Sequence, residues 1–274
     1  MVSNEIYKTF KTKLDEQEQN GQKFYYLGDK KAKPYQPDNV EIGSELLWSC
    51  FEYAFLIANE DKQREYRSGG LARRNKLQIF WDAFRGKVAE CHAKVFYENR
   101  GCRVSPIDFD IYDRGVWDRY DLIINDKIVS IKSSKHFSQL LMLETEDWKD
   151  GKYSGDVYDE DYTPDYFMFI RTRIDVPEEL ERGDNLNKES LWQAIQRLDI
   201  TAEISGLLPF VHFIDQVIEY KYIIRQNEIF KASLKSRGVR MDADNYYVKI
   251  SELNWPCTLY ISKKKNVIDA SEWR

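Results

Sequence analysis

Apolar residues recur at helical spacing in two stretches of the first hundred positions. From Ser44, whose hydroxyl can cap a helix start, Leu46, Leu47, Cys50, Phe51, Ala54 and Phe55 fall on one face, which predicts a helix to about Lys62. A longer helix is predicted from about Asn75 to Asn99, with Leu77, Ile79, Phe80, Phe84, Val88, Ala89, Ala93, Val95 and Phe96 as its apolar positions and Gly101 as its stop. Residues 1–20 read as a charged helix, 21–42 as a Gly/Pro/Asp/Asn loop and 64–74 as an Arg/Gly loop. From Cys102 the pattern turns to strands. Cys102–Phe109 is one candidate, and 119–125 with 127–133 form a hairpin about Asn125-Asp126. Gln139–Glu144 reads as a strand or a helical turn. Tyr166–Ile174 is aromatic and β-branched between Pro164 and Pro177, and reads as a long strand.

Residues 150–165 form an acidic, Tyr-rich loop, and Ser190–Leu198 a helix on Leu191, Ile195 and Leu198. Residues 200–260 are mixed, with a helix near Phe213–Ile223, a turn at Asp242–Asn245 and a strand at Tyr246–Ile250. The fold class expected is α/β: a mixed α+β sheet flanked by helices, with an N-terminal helical addition. With no repeat, low-complexity segment or linker, one domain over 1–274 is the simplest account. It divides into the addition (1–74), a core (75–175) and later elements (176–274).

Composition supports a folded core, with 42% apolar and 14% aromatic residues in 274. No apolar run approaches the roughly 18 residues of a membrane span, and Met1-Val-Ser-Asn-Glu shows no leader, so a cytoplasmic location with no membrane contact is expected. Cys50, Cys91, Cys102 and Cys257 form no CxxC pair and read as reduced core thiols, and three scattered histidines argue against zinc. A net charge of −5 excludes nucleic-acid binding by bulk charge. Local basic patches remain: Arg64, Arg67, Arg73, Arg74 and Lys76 around Gly69-Gly70, and Lys263-Lys264-Lys265. Acidity gathers in 144–165 and 175–184.

The candidate chemistry lies on the hairpin, Asp121-Leu-Ile-Ile-Asn-Asp-Lys-Ile-Val-Ser130-Ile-Lys132. Strand alternation puts Ser130 and Lys132 on one face and Ile131 on the other. An acid and a lysine at a hairpin edge can hold a divalent cation and a water against a phosphodiester. Asp-x8-Ser-x-Lys alone is a weak signal, because an Asp and a Lys on a hairpin are usually just solvated. Asp242 and Asp244 lack the Gly and the terminal Glu of a calcium loop and read as a turn feeding a strand.

Taken with Glu90, in Gly86-Lys87-Val88-Ala89-Glu90 on the preceding helix, the order helix, strand, hairpin, long strand resembles the PD-(D/E)xK nuclease superfamily, especially type II restriction endonucleases. The resemblance covers roughly 75–175. It implies a restriction-endonuclease-like catalytic core, with 176–274 as recognition or dimerisation elements. In this likeness Asp121 is the first acid, Lys132 the lysine and Glu90 the helix acid, and Asp118 is the runner-up for the first acid. The resemblance implies Mg2+ held by Asp121, Glu90, the Ile131 carbonyl and the scissile phosphate, with Lys132 orienting or deprotonating the attacking water. It also implies 5′-phosphate and 3′-hydroxyl ends. The departure is Ser130, where the family has Asp or Glu. Glu90 is the preferred replacement, with Glu144 and Glu146 as alternatives.

Double-stranded DNA is the expected partner, with a homodimer for two cuts. A cognate DNA methyltransferase is expected in the same system, though not as a stable partner. Arg64, Arg67, Arg73, Arg74, Lys135 and His136 are candidate phosphate or groove contacts, and Arg225, Gln226, Lys235 and Arg237 are further recognition candidates. A structure-specific or repair nuclease of the same superfamily, and a non-catalytic DNA-binding relative, are the competing readings.

Overall fold

Asn75 starts the helix on which the rest of the molecule is arranged. Its side chain accepts the Gln78 N–H at 2.8 Å, and the Gln78 side chain accepts the Asn75 N–H at 3.0 Å. This reciprocal capping box contributes about 1 kcal/mol and satisfies two otherwise orphaned donors. A computed structural model describes residues 13–27, 32–59, 74–111, 120–149, 152–153, 163–178, 180, 186–233 and 236–260. In it α1 spans Ser44–Asn59 and α2 Lys76–Glu98. Helix α2 ends where Gly101 takes a positive φ of 76° and the Cys102 N–H returns to the Tyr97 carbonyl.

Helix α2 is apolar on two sides. Phe80, Trp81, Phe84, Val88 and Cys91 pack with Phe51, Ala54 and Ile57 of α1. Ala89, Ala93, Phe96 and Tyr97 pack on a four-stranded sheet. The two alanines, one turn apart, let the helix lie close to the strands. Cys50, Cys91 and Cys102 are buried free thiols, with the Cys50 and Cys91 sulfurs 3.3 Å apart.

The central sheet has the order β3-β4-β8-β9, with β3 at Leu122–Ile124, β4 at Lys127–Lys135, β8 at Tyr166–Ile174 and β9 at Ile200–Pro209. Asn125 and Asp126, at φ 48° and 65°, form the two-residue turn between β3 and β4. Asn and Asp tolerate this left-handed pair at low cost. Strand β4 pairs in parallel with β8, from Val129↔Tyr166 to Lys135↔Thr172, and β8 pairs antiparallel with β9 through a bulge after Phe169. Beside that bulge, on β9, Gly206 sits at φ 153°, where a Cβ would lie 2.5 Å from the Leu253 Cβ, so only glycine fits without rearrangement.

The face of the central sheet turned from α2 is covered by a second sheet, β10-β13-β5 (Ile223–Ile224, Asn245–Lys249, Leu140–Glu144). Leu141, Leu143 and Val248 meet Phe167, Phe169, Leu208 and Phe213 there. Gln139–Glu144 therefore resolves as a strand. A short ribbon, β6 (Trp148–Lys149) with β7 (Lys152–Tyr153), enters the acidic stretch after it. Cys102–Phe109 is not a regular strand: it makes a single bridge, Val104 to Ile124, and runs on without regular secondary structure. Helix α3 covers Lys188–Ile195. The helix expected near Phe213–Ile223 is present, shifted towards the amino terminus: it is α-helical over Phe210–His212 and a π-helix over Phe213–Ile218, and gives way to β10.

The charged helix expected over residues 1–20 is corrected within the described residues. Asp15–Gln19 is β1, paired with β2 (Gln22–Tyr26) across Asn20-Gly21, both at positive φ. Strand β1 is exposed along its whole length, so it carries no apolar alternation, and the Asn-Gly turn is the local signal that outweighs helix propensity. Strand β2 continues in parallel into β11 (Ile229–Lys231), which pairs with β12 (Val239–Arg240). Among the described residues the amino-terminal addition is thus a hairpin and a helix. Among the described residues no helix is long and apolar enough to cross a membrane.

Candidate active site

Strand β3 begins one residue after Asp121, and the side chain of Asp121 takes over the next rung of the ladder. The pairing Leu122↔Val129, continued by one step, places Asp121 opposite Ser130. Asp121 Oδ2 accepts the N–H of Ile131 at 2.5 Å. The N–H and C=O of one strand residue point to the same neighbour. The Ile131 carbonyl therefore also faces the β3 side, where the hairpin opens.

Ile131 and Val129 bury their side chains under α2 with Met168 and Ile170, so Ser130 and Lys132 point to the opposite face, level with Phe167 and Phe169. This is the alternation expected from the sequence. Ser130 is buried, whereas Lys132 is half-buried and has no hydrogen-bond or ion-pair partner among the described residues. Opposed residues of an antiparallel pair share a face, so Asp121, Ser130 and Lys132 line one side of the hairpin.

Glu90 stands elsewhere. It lies on α2, buried, and accepts a 2.7 Å bond from Lys87 Nζ. The Lys87 ammonium also sits 4.8 Å from the Tyr53 ring centroid and 5.9 Å from that of Phe109. The Lys87–Glu90 pair therefore belongs to the layer of α1 and α2. Glu144 and Glu146 are at the end of β5 and in the turn after it, in the layer that covers the Ser130 and Lys132 face. Among the described residues no group of three or more His, Cys, Asp or Glu is placed to hold a metal ion.

Of the basic candidates, Arg64, Arg67 and Arg73 lie outside the described residues, as do Asp118, Lys235 and Lys263–Lys265. Arg74 bonds Asp82 at 3.2 Å beside the start of α2. Lys135 is exposed at the end of β4, and Arg237 is exposed. Arg225 pairs with Asp244 at 2.6 Å, and Asp244 also accepts the Gln226 N–H at 2.7 Å. Burial alone would raise the Asp244 pKa, but these two donors outweigh it and hold the carboxyl below its usual value. Asp244 is thus a turn-building residue.

A polar network beside the site had no local signature. Arg171, fully buried on β8, bonds Glu203 at 2.6 Å, Ser205 Oγ at 3.0 Å and the carbonyls of Lys33 and Pro34 at 3.0 and 2.8 Å. Glu203 also accepts the Gln36 N–H at 2.8 Å. Asp38 continues the tether, accepting the Ile204 N–H at 2.7 Å and meeting buried His92 of α2 at 3.0 Å. Residues 33–38 are so strapped across the sheet. The one hint in the sequence is an arginine inside the apolar run of β8.

Comparison with protein-family models, with curated proteins and with solved structures finds no match.

Proposed function

We propose that the protein is a metal-dependent endodeoxyribonuclease that hydrolyses double-stranded DNA in the manner of type II restriction enzymes, with Asp121 and Lys132 at its centre. The observation that carries this reading is the opening of the hairpin at Asp121, with a carboxylate and a lysine that has no partner among the described residues on one face of it. Mg2+ takes oxygen ligands and is commonly held by one or two carboxylates together with substrate phosphates. The Asp121 carboxylate and the Ile131 carbonyl fit that demand, and Glu90 is the proposed second carboxylate, which requires it to leave both Lys87 and the layer of α1 and α2 for the hairpin edge. Bound there, Mg2+ would polarise the scissile phosphate and acidify a water.

Lys132 has the remaining task. Its ammonium, uncommitted to any carboxylate among the described residues, can orient the attacking water and offset the charge that develops on the phosphate. Burial of its stem against the sheet limits the positions the ammonium can take. Ser130 supplies a hydroxyl where a third ligand would stand, a weaker donor than a carboxylate.

The test is incubation of plasmid DNA with the protein and Mg2+. Discrete fragments, lost in Asp121→Ala, are expected. Smearing, or cutting restricted to branched or single-stranded DNA, would replace this reading with a structure-specific or repair nuclease. Retained DNA binding with no cleavage under any divalent ion would assign a non-catalytic DNA-binding relative, as the serine at 130 favours.

A further inference from the structure

A cleft of about 180 Å³ opens at the carboxyl ends of the parallel strands β4 and β8, lined by Arg85, Lys135, His136, Phe137, Thr172 and Asp175 among others. The carboxyl ends of parallel strands are where sheets of this kind commonly receive ligands. Two permanent cations face one carboxylate in the lining. That carboxylate, Asp175, is largely neutralised, since it accepts the Arg173 Nε–H at 2.9 Å at an exposed rim. Arg85 is buried, with Nη1 3.9 Å from Asp82 Oδ1 and its guanidinium 6.0 Å from the Trp81 ring centroid, so it is held in place.

His136 lies in the same lining. Burial first, and then the charges of Arg173, Arg171 and Lys135 against the opposing Asp175, hold its imidazole below the usual histidine value. Next to the cations stands an aromatic platform. Phe137 is 61% exposed, an unusual position for a phenyl ring on a folded surface. Its ring packs edge-on to His136 at 5.4 Å, and His136 lies 5.6 Å from Tyr35.

We propose that this cleft binds a nucleotide unit, with Arg85 and Lys135 on the phosphate and the base stacked on Phe137. The cleft is smaller than the roughly 300–1,000 Å³ of pockets that engulf a whole ligand, which suits a phosphate held inside with the base lying out over the rim. A cation pair beside an exposed aromatic ring is the combination that tracks single-stranded nucleic acid, because every base has a face to stack. The assignment does not depend on Asp121 or Lys132 being catalytic, and the cleft would hold an unpaired nucleotide.

The experiment measures fluorescence anisotropy of a short labelled oligothymidylate with the full-length protein in EDTA, so that no cleavage intervenes. Saturable binding is expected. Phe137→Ala should weaken it by about tenfold, the loss of one base–aromatic stack. Lys135→Gln should lower the slope of log affinity against log salt by about one. Both positions are exposed, and unchanged thermal unfolding midpoints check that folding is intact. Wild-type affinity in Phe137→Ala, or a wild-type salt slope in Lys135→Gln, overturns the proposal. Thymidine monophosphate competing as well as the oligomer would identify a free nucleotide as the source, whereas competition by the oligomer alone would identify a nucleic-acid strand. Asp121→Ala should bind as wild type, so a catalytically inert protein leaves this proposal standing.

Discussion

Asp121 Oδ2 accepts the backbone N–H of Ile131 at 2.5 Å, across the open end of the β3–β4 hairpin. A side chain here does what a strand carbonyl does elsewhere in the ladder. The carboxylate is thereby pinned at the point where the two strands part, with the Ile131 carbonyl on the same side and Lys132 one residue further on.

Replacing Asp121 by Asn preserves the acceptor for Ile131 but removes the charge. Asp121→Asn should fold like the wild type and cleave DNA slower by about a hundredfold or more, as should Lys132→Ala. Single-turnover cleavage at saturating Mg2+ measures this. Wild-type rates in either variant would remove the hairpin from the chemistry.

The carboxylate that stands in for the acid missing at Ser130 can be identified by substitution. Glu90→Gln is expected to raise the Mg2+ concentration needed for half-maximal cleavage, while Glu144→Gln and Glu146→Gln leave it unchanged. A shift confined to the β5 variants would transfer the role to the layer that Lys132 faces. Loss of the Glu90 charge also removes the carboxylate that offsets buried Lys87, so a drop in stability of about 3 kcal/mol accompanies it. Chemical denaturation reports that drop independently of cleavage.

Arg171→Ala should destabilise the fold by about 3–5 kcal/mol, because it removes the buried partner of Glu203 and leaves only Lys33, at 3.5 Å, to offset the carboxylate. Combining Arg171→Met with Glu203→Gln should recover part of the loss, since the uncompensated charge goes with its partner. Urea unfolding of the single and double variants tests this. Equal stability of Arg171→Ala and wild type would show that the strap of residues 33–38 holds without the guanidinium.

His136 provides a titration test. Its folded pKa lies below the unfolded value of about 6.5, so the unfolded chain binds more protons as pH falls through that value. The His136 contribution to stability should therefore decline from about pH 6.5 downward and level off below the folded pKa. Nuclear magnetic resonance of the imidazole should show protonation at lower pH than for a free histidine, shifted upward when an oligothymidylate occupies the cleft. An unshifted titration in the free protein would contradict the burial and the cation field around it.

Much of the fold was legible because its signals are local. The Asn75–Gln78 box, the apolar positions of α2, the Asn125-Asp126 turn and the aromatic run of β8 each act within a few residues. The alternation that puts Lys132 and Ile131 on opposite faces is a property of any strand. Strand β9 was harder to see. Ile200, Ala202 and Ile204 alternate, but Glu203 and Ser205 are polar residues that are buried, and the bulge beside Gly206 shifts the register. Strand β1 gave no apolar signal, being wholly exposed and held by its turn and its partner.

The hairpin, its turn, the helix before it and the charged positions are written in local sequence. Packing sets the rest: Glu90 is spent on Lys87 in the helical layer, Arg171 is matched by Glu203, and Lys135, Arg85 and Phe137 share one cleft. Backbone geometry follows from interactions between near neighbours. The partner of a charge follows from which distant segments pack together, because desolvating that charge makes an ion pair or a hydrogen bond obligatory wherever the fold supplies one.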